Sequence, residues 1–453
     1  MVMQRDCIMH IHILGICGTF MGGVAQLARA AGHRVTGCDA NVYPPMSDQL
    51  TNAGIELIEG YDVDQLALKP DMFVIGNAIS RGNPLLEAIL DEGLPYTSGP
   101  QWLGEYVLCG RHVLAVAGTH GKTTTSSLLT WILEYAGLNP SFLIGGVPSN
   151  FDHSARLTDS RYFVIEADEY DTCFFDKRSK FVHYRPKTAI LNNLEYDHAD
   201  IFPNLEAIET QFHHLVRTMS HNALVVVNDD ADALHRVLDR GLYSGVAYFN
   251  SVNGWHLEND CVYFKDQCIG ALHMALAGHH NQLNALAAVV AATHVGIDPK
   301  VSLEALKAFS GVKRRMEVKG CEQGVTVIDD FAHHPTAITE TLAALRGQIG
   351  PDKRIIAVIE PRSNTMKMGT MKDRLADSLR GADEVVCYAA PSLGWNVEAA
   401  LSPLGEKSHV KHDLEEVVKT VVKMARPEDF VLVMSNGGFG GIHGKLLSAL
   451  KGA

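Results

Sequence analysis

The sequence predicts an α/β protein of about three domains built on parallel sheets. Short apolar runs alternate with longer helical patterns along the whole chain, the rhythm of βαβ units. At about 150 residues per domain, 453 residues make about three domains. Several of the apolar runs end in Gly-rich or polar turns, where an open α/β sheet takes its ligands.

The first block opens with a strand at Ile11–Leu14, a Gly-rich turn and a helix near Gly22–Ala31. A strand at Arg34–Cys38 runs into Asp39, and further strands fit Met72–Gly76 and Leu94–Thr97. The second block restarts with a strand at His112–Ala117, another Gly turn and a helix from Thr124 to Ala136. Its later strands fit Tyr162–Glu166, Thr188–Leu191 and Ala223–Val227. The third block follows Gly311, with strands near Val325–Asp329, Arg354–Ile359, Glu384–Tyr388 and Phe430–Met434. These blocks suggest domains 1–109, 110–311 and 312–453.

Apolar residues at 46% and charged residues at 20% fit a globular chain. A net charge of −13 disfavours nucleic acid and an anionic membrane surface as partners. It leaves an anionic substrate open, because Gly loops, Arg and metal ions reverse the field locally. No stretch reaches the ~18 apolar residues of a membrane span. The opening MVMQRDCIMHIHIL carries no basic segment or cleavage site of a signal peptide. Nine scattered Cys without a C-x-x-C pair fit a reduced, cytoplasmic protein, with most thiols packed as small apolar groups. Oligomeric state is not encoded in any of these features.

Gly118-Thr119-His120-Gly121-Lys122-Thr123-Thr124 lies between a strand and a helix, as a phosphate loop requires. Glycines admit phosphate oxygens to backbone N–H groups, and the helix N-terminus adds positive charge. Lys122 would reach the β/γ-phosphates and the Thr123 hydroxyl would meet Mg²⁺. The spacing is a variant, because Val116 stands where the first Gly of G-x-x-x-x-G-K-[ST] belongs. Glu166-Ala167-Asp168-Glu169-Tyr170-Asp171 puts four acids at a strand end, with Glu166 the one expected beside Mg²⁺ and two of the four expected in water. His198, after the Thr188–Leu191 strand, reads as a second metal ligand or a phosphate contact. Asn281 and Asn284, three apart, suit either a nucleobase or helix capping. The turn from Gly15 through Gly18 and Thr19 lacks G-x-G-x-x-G and suggests a pyrophosphate ligand more than NAD; Asp39 would meet a ribose.

In the third block, three strand ends carry Asp329–Pro335, Glu360–Thr365 and Ser435–Gly441, so one end of this sheet resembles a site. By themselves, Lys313-Arg314-Arg315 read as a solvated linker and His333-His334 as a turn before Pro335.

In this order, the motifs resemble the Mur ligases, ATP-dependent amide-forming enzymes of peptidoglycan synthesis, over essentially the whole chain. HILGICGTFMGG, DANVYPPMS, FFDKRSKFVHY, DDFAHHPTAI, EPRSNTMKMG and MSNGGFGG point to a peptide-adding subgroup rather than the alanine-adding enzymes. The resemblance implies a Rossmann-like N-terminal domain, a central P-loop ATPase-like domain and a Rossmann-like C-terminal domain. It implies ligation of UDP-N-acetylmuramate to the murein tripeptide L-alanyl-γ-D-glutamyl-meso-diaminopimelate, with ATP and Mg²⁺, through an acyl phosphate. Gly118–Thr124, Asn281, Asn284, Arg315 and Asp330 would hold ATP; Lys122, Glu166, His198, Arg315 and Asp330 would be catalytic; Thr123, Glu166 and His198 would meet metal. Gly15, Gly18, Thr19, Asp39 and Ser80 would hold the UDP sugar. His333, His334, Arg362, Ser363 and Asn364 would receive the peptide. Arg362 either grips a tripeptide carboxylate or braces its own loop through Glu360. Several family members carry a carbamylated Lys that bridges to metal; here that region reads Gln211-Phe212-His213-His214-Leu215, where packing is the expected role of both His. The rival activities are UDP-N-acetylmuramate–L-alanine ligation and, in another class, NAD-dependent oxidoreduction.

Overall fold

A computed structural model of the chain describes residues 8–43 and 46–452. The opening segment as far as Cys7, and Pro44 and Pro45 of the DANVYPPMS stretch, lie outside the described residues. Two compact units divide the rest. The first takes the described residues of Met1–Glu195 with Glu206–His273 and Asn284–Phe309, and the second takes Tyr196–Leu205, Met274–Leu283 and those of Ser310–Ala453.

The first unit holds two main sheets. One contains β1 (His10–Leu14), β2 (Arg34–Asp39), β3 (Glu56–Glu59), β4 (Met72–Ile75) and β5 (Tyr96–Ser98), in the spatial order β3-β2-β1-β4-β5. All four pairings are parallel. Leu14, Cys38, Phe73 and Ile75 pack one face of it against Leu85, Leu86 and Ile89 of the helix Pro84–Asp91. The expected helix near Gly22 begins earlier, at Thr19, and runs to Ala30. Gly22 and Gly23 are helical packing positions: a Cβ there would come within 2.4 Å of the Met46 sulfur and 2.3 Å of Leu143.

The larger sheet contains β6 (His112–Ala117), β7 (Ser141–Leu143), β8 (Ala155–Arg156), β9 (Tyr162–Glu166), β12 (Thr188–Leu191), β13 (Leu224–Asn228) and β14 (Gly245–Phe249). A meander of β15 (Trp255–Glu258), β16 (Cys261–Phe264) and β17 (Gln267–Ala271) completes its ten strands. The small hairpin β10 (Asp171–Cys173) and β11 (Asp176–Ser179) stands apart. At the centre, β6 pairs in parallel with β9 on one side and β12 on the other.

The second unit is one sheet of β18 (Glu317–Glu322), β19 (Val325–Asp330), β20 (Ile355–Ile359), β21 (Glu384–Tyr388), β22 (Ser408–Lys411) and β23 (Phe430–Met434), ordered β18-β19-β23-β20-β21-β22. Alternate residues feed two cores. Val327, Ile356, Val358 and Val433 face one, and Ile328, Ile355, Ala357 and Leu432 face the other. Burial on both faces explains why these strands read as unbroken apolar runs. No helix of the described residues is long and apolar enough to cross a membrane. Of the eight described cysteines only Cys38, Cys173 and Cys387 are buried, so packing accounts for fewer than expected.

Two imidazoles in the first unit make its stability depend on pH. His12 is fully buried, with Nδ1 2.8 Å from Thr36 Oγ1 and Nε2 3.1 Å from Gln65 Oε1; burial pulls its pKa to about 4. His112 lies 2.9 Å from Thr188 Oγ1, which also meets His294, and burial again brings its pKa to about 4. Both stay neutral in the fold, whereas the unfolded chain protonates them near pH 6.5. Stability is therefore full above about 6.5, declines as pH falls towards about 4, and has a slope from His12 of at most about 1.4 kcal/mol per pH unit. Urea midpoints should fall between about pH 7 and pH 5, and His12→Gln should flatten that slope.

Candidate active site

Three loops meet at the carboxyl edge of the larger sheet because β9, β6 and β12 are adjacent and parallel. The chain goes from β6 to β9 on one side and then to β12 on the other, which makes a switch point there. Gly118 and Gly121 have φ of 149° and 78°, conformations that favour glycine. A Cβ on Gly121 would also lie 2.5 Å from Asn284 Oδ1 and 2.8 Å from Asn192 Nδ2. The helix Lys122–Tyr135 starts at Gly121 with neither a side-chain cap nor an acid in its first turn. Its leading N–H groups and dipole thus remain available to an anion. Asn193 Oδ1 accepts the His120 N–H at 2.8 Å, and Asn192 donates to Asn284 Oδ1 at 2.6 Å, bracing the loop from behind.

The acidic run is neutralised by lysines rather than by water. Lys122 Nζ lies 2.8 Å from Glu169, 3.9 Å from Asp168 and 2.7 Å from the Gly118 carbonyl. Burial acts to lower its pKa, but Glu169 and Asp168 outweigh that and hold it above the usual lysine value. Lys180 meets Asp168 at 2.8 Å and Lys177 meets Asp171 at 2.6 Å. Glu166 accepts the Gly145 N–H at 2.8 Å and the Thr123 hydroxyl at 3.1 Å to each oxygen. All four acids thus have partners, contrary to the expectation that two would face water. Thr123 and Glu166 do come together, and their hard oxygen donors fit Mg²⁺. Gln211, in the region where a bridging Lys was sought, accepts both the N–H and the hydroxyl of Ser179 at 3.3 Å. His213 and His214 lie in the helix Leu205–Val216.

At the smaller sheet, Gly15, Gly18, Thr19 and Asp39 gather at the ends of β1 and β2. Asp39 accepts the Cys17 N–H at 2.9 Å and the Asn41 N–H at 3.4 Å, so its carboxylate braces the turn. Ser80 is exposed in the loop after β4, the strand on the other side of β1.

In the second unit β19, β23 and β20 are neighbours, so the three polar strand ends converge as expected. Asp330 is buried and accepts the Met316 and Ala332 N–H groups at 2.8 Å each; burial raises its pKa. The basic triplet is not a solvated linker. Arg314 reaches Asp329 at 3.3 Å and the Ser435 and Gly437 carbonyls at 2.8 and 2.7 Å, and Arg315 lies over the Phe331 ring at 4.7 Å. His334 caps the helix Pro335–Ile349 through the Thr336 N–H, matching the turn before Pro335, while His333 contacts the Phe331 carbonyl. Asn281 is not a cap: it lies within the helix His279–His294 and donates to the Ala277 carbonyl at 2.7 Å. Asn284 lies within that helix too.

A cavity of about 330 Å³ in this unit is lined by His198, His333, Arg362, Asn364, Lys367 and Asn436, among others. His198 has a φ of 52° and follows Asp197, which accepts the His198 N–H at 2.7 Å and the Thr365 hydroxyl at 2.6 Å. Burial opposes ionisation of Asp197, but His198 and these hydrogen bonds bring its pKa to about 2. Ser363 caps the short helix Asn364–Lys367, and Asn364 donates to Asp200 at 2.8 Å. Arg362 pairs with no acceptor among the described residues. Glu360, its expected brace, instead accepts the Ser435 hydroxyl at 2.6 Å. The guanidinium lies on Gly437, where a Cβ would meet its Nη1 at 2.2 Å. Asn436 Oδ1 is buried and has no hydrogen-bond partner among the described residues. Sequence reasoning missed Glu169, Asn192, Lys367, Asn436 and Gly437 as individuals, although each falls in or beside a quoted motif.

The ion pair gives Lys122 a structural role as well. Lys122→Ala should cut ATP-dependent phosphate release by about two to three decades. It should also destabilise the fold by about 3–5 kcal/mol, because Glu169 loses its buried counter-charge. Lys122→Met with Glu169→Gln should recover most of the melting temperature and none of the turnover. Unchanged stability in Lys122→Ala, measured by calorimetry, would refute the structural role of the pair.

Three family models match in succession: the Mur ligase family catalytic domain over residues 10–108, the Mur ligase middle domain over 116–292, and the Mur ligase glutamate ligase domain over 314–437. The chain is 54% identical over 449 residues to the UDP-N-acetylmuramate–L-alanyl-γ-D-glutamyl-meso-2,6-diaminoheptandioate ligase of Escherichia coli, covering 98% of both chains. A UDP-N-acetylmuramate–L-alanine ligase of a Psychrobacter species is 31% identical, covering 95% of this chain and 93% of that one. The crystal structure of a murein peptide ligase from Psychrobacter arcticus superposes with a TM-score of 0.76 at 46% identity, covering 98% of this chain and 99% of that one. The chain belongs to the Mur ligase family of ATP-dependent amide-forming enzymes, and its mixed α/β fold is the three-domain Mur ligase architecture.

Proposed function

We propose that this enzyme ligates UDP-N-acetylmuramate to L-alanyl-γ-D-glutamyl-meso-diaminopimelate in the cytoplasm, converting ATP to ADP and phosphate, as a step of peptidoglycan recycling. The observation that carries this reading is 54% identity, end to end, with a ligase named for that peptide, against 31% with an alanine ligase. Residues 1–109 take the UDP sugar, 110–311 take ATP and 312–453 take the peptide.

A lactyl carboxylate oxygen attacks the γ-phosphorus, and ADP leaves. The alanyl amine then attacks the acyl phosphate, and phosphate leaves from the tetrahedral intermediate. Both steps need positioning and charge neutralisation more than side-chain chemistry. The leading N–H groups of the helix Lys122–Tyr135 and the Lys122 ammonium bind the phosphates, with Lys122 exchanging part of its hold on Glu169 and Asp168 for phosphate oxygen. Thr123 and Glu166 would hold Mg²⁺, which supplies further neutralisation of phosphate charge.

Both candidate reactions use an alanyl amine, so selection rests on the remainder of the peptide, which carries carboxylates. Arg362, unpaired and aimed along the cavity by Gly437, grips one of them, with Ser363 and Asn364 beside it. Phosphate release in the presence of UDP-N-acetylmuramate should be supported by the tripeptide and not by L-alanine; the reverse result would reassign the enzyme. Arg362→Lys keeps the charge and loses the planar fork, so tripeptide KM should rise about tenfold to a hundredfold with ATP and UDP-sugar KM unchanged. Gly437→Ala fits the backbone but displaces the guanidinium, and it should reproduce that selective effect. Equal losses toward all three substrates would make Arg362 a structural brace.

A further inference from the structure

The edge hairpin β16–β17 brings two cysteines together outside the ligase machinery. Tyr263 pairs with Cys268 and Cys261 with Ala271, and the register slips between Val262 and Tyr263, leaving Ile269 as an extra residue. Side chains two apart on a strand share a face. Cys261 and Tyr263 therefore stand on one face, with Cys268 directly across the ladder from Tyr263 and diagonal to Cys261. The electrostatics agree: Cys268 lies within interaction range of both the Cys261 thiol and the Tyr263 hydroxyl. Cys268 is exposed and Cys261 half-buried.

We propose that Cys261 and Cys268 are a thiol–disulfide modification site that closes reversibly on reaction with a low-molecular-weight disulfide. Cys268 is the attacking thiol, because it is the more exposed of the two. Burial and the adjacent Cys268 push the Cys261 thiol up, so it stays protonated in the reduced hairpin and does not compete for the first attack. The Cys268 thiolate attacks one sulfur of the small disulfide; that S–S bond breaks and one small thiolate leaves, taking up a proton. The Cys261 sulfur then gives up its proton, attacks Cys268 and expels the second small thiol. Two protein thiols are oxidised to one disulfide, and one small disulfide is reduced to two thiols. The ring spans only residues 261–268, so chain entropy holds it closed weakly and a reductant reopens it. Cys109 and Cys321, also exposed, lie elsewhere in the chain and provide internal controls.

The test treats the folded full-length chain with glutathione disulfide, alkylates the remaining thiols and digests with trypsin. Cleavage at Lys265 separates the two cysteines into peptides 241–265 and 266–300. The proposal expects these peptides joined, both thiols lost from the alkylation map together, and full reversal by dithiothreitol. Cys261→Ser should instead leave a stable glutathione adduct on Cys268, with basal ligase turnover unchanged. Adducts on Cys268, Cys109 and Cys321 at equal rates without the joined peptides would overturn it. So would joining that proceeds equally well in the guanidinium-unfolded chain.

Discussion

Glu169 is almost wholly removed from water, and a lone carboxylate in that position would cost several kcal/mol. Lys122 makes the position tolerable, and the Gly118–Thr124 loop takes its form around that pair. The lysine is itself largely withdrawn from water, so it too needs a counter-charge. Its ammonium also holds the Gly118 carbonyl, which ties the first residue of the loop to the first residue of the helix. Asp168 shares the field of Lys122 and is anchored by Lys180, whose N–H in turn meets the Tyr170 carbonyl. The acid-rich strand end is therefore one connected electrostatic object. It holds an ammonium in place.

Legibility in the sequence followed burial. The strands β6, β9, β12, β21 and β23 have the bounds their apolar runs predict, because both faces are packed and the runs are continuous. Among the missed strands, Glu56–Glu59 and Ser408–Lys411 lie at sheet edges and Trp255–Glu258 in the meander. Glu56–Glu59, Trp255–Glu258 and Ser408–Lys411 mix polar with apolar residues at half-exposed positions and carry no clear period. The helix Thr19–Ala30 was placed late because Gly22 and Gly23 looked like turn residues, whereas their role is close packing with Met46 and Leu143.

The site was legible where chemistry is local. Gly118–Thr124 shows its strand–turn–helix setting within seven residues, and His334 before Pro335 carries its capping role in plain view. The acidic run did not disclose its partners, because four carboxylates in six residues look alike until distant lysines choose among them. Arg314 was misread for the same reason. Its acceptors, Asp329, Ser435 and Gly437, come from two other strand ends, and no feature of Lys313-Arg314-Arg315 indicates them.

The two units place cations in opposite ways, and the difference follows from solvent. An ammonium largely withdrawn from water must be paired in the fold, and Lys122 is held by Glu169 and Asp168. An exposed guanidinium carries no such requirement, because water satisfies its donors at little cost. Arg362 is exposed at the cavity, and glycine is what gives its planar head room against the Ser435–Gly441 loop. Glu360, the nearest acid in sequence, is turned away to Ser435 and so does not quench it. An unquenched, permanently charged fork suits a carboxylate ligand that arrives from water, whereas a pre-paired point charge suits a multiply charged phosphate. Each cation thus matches the charge and geometry of the ligand proposed for its unit, and beside Arg362 the bare Gly437 leaves room for the guanidinium.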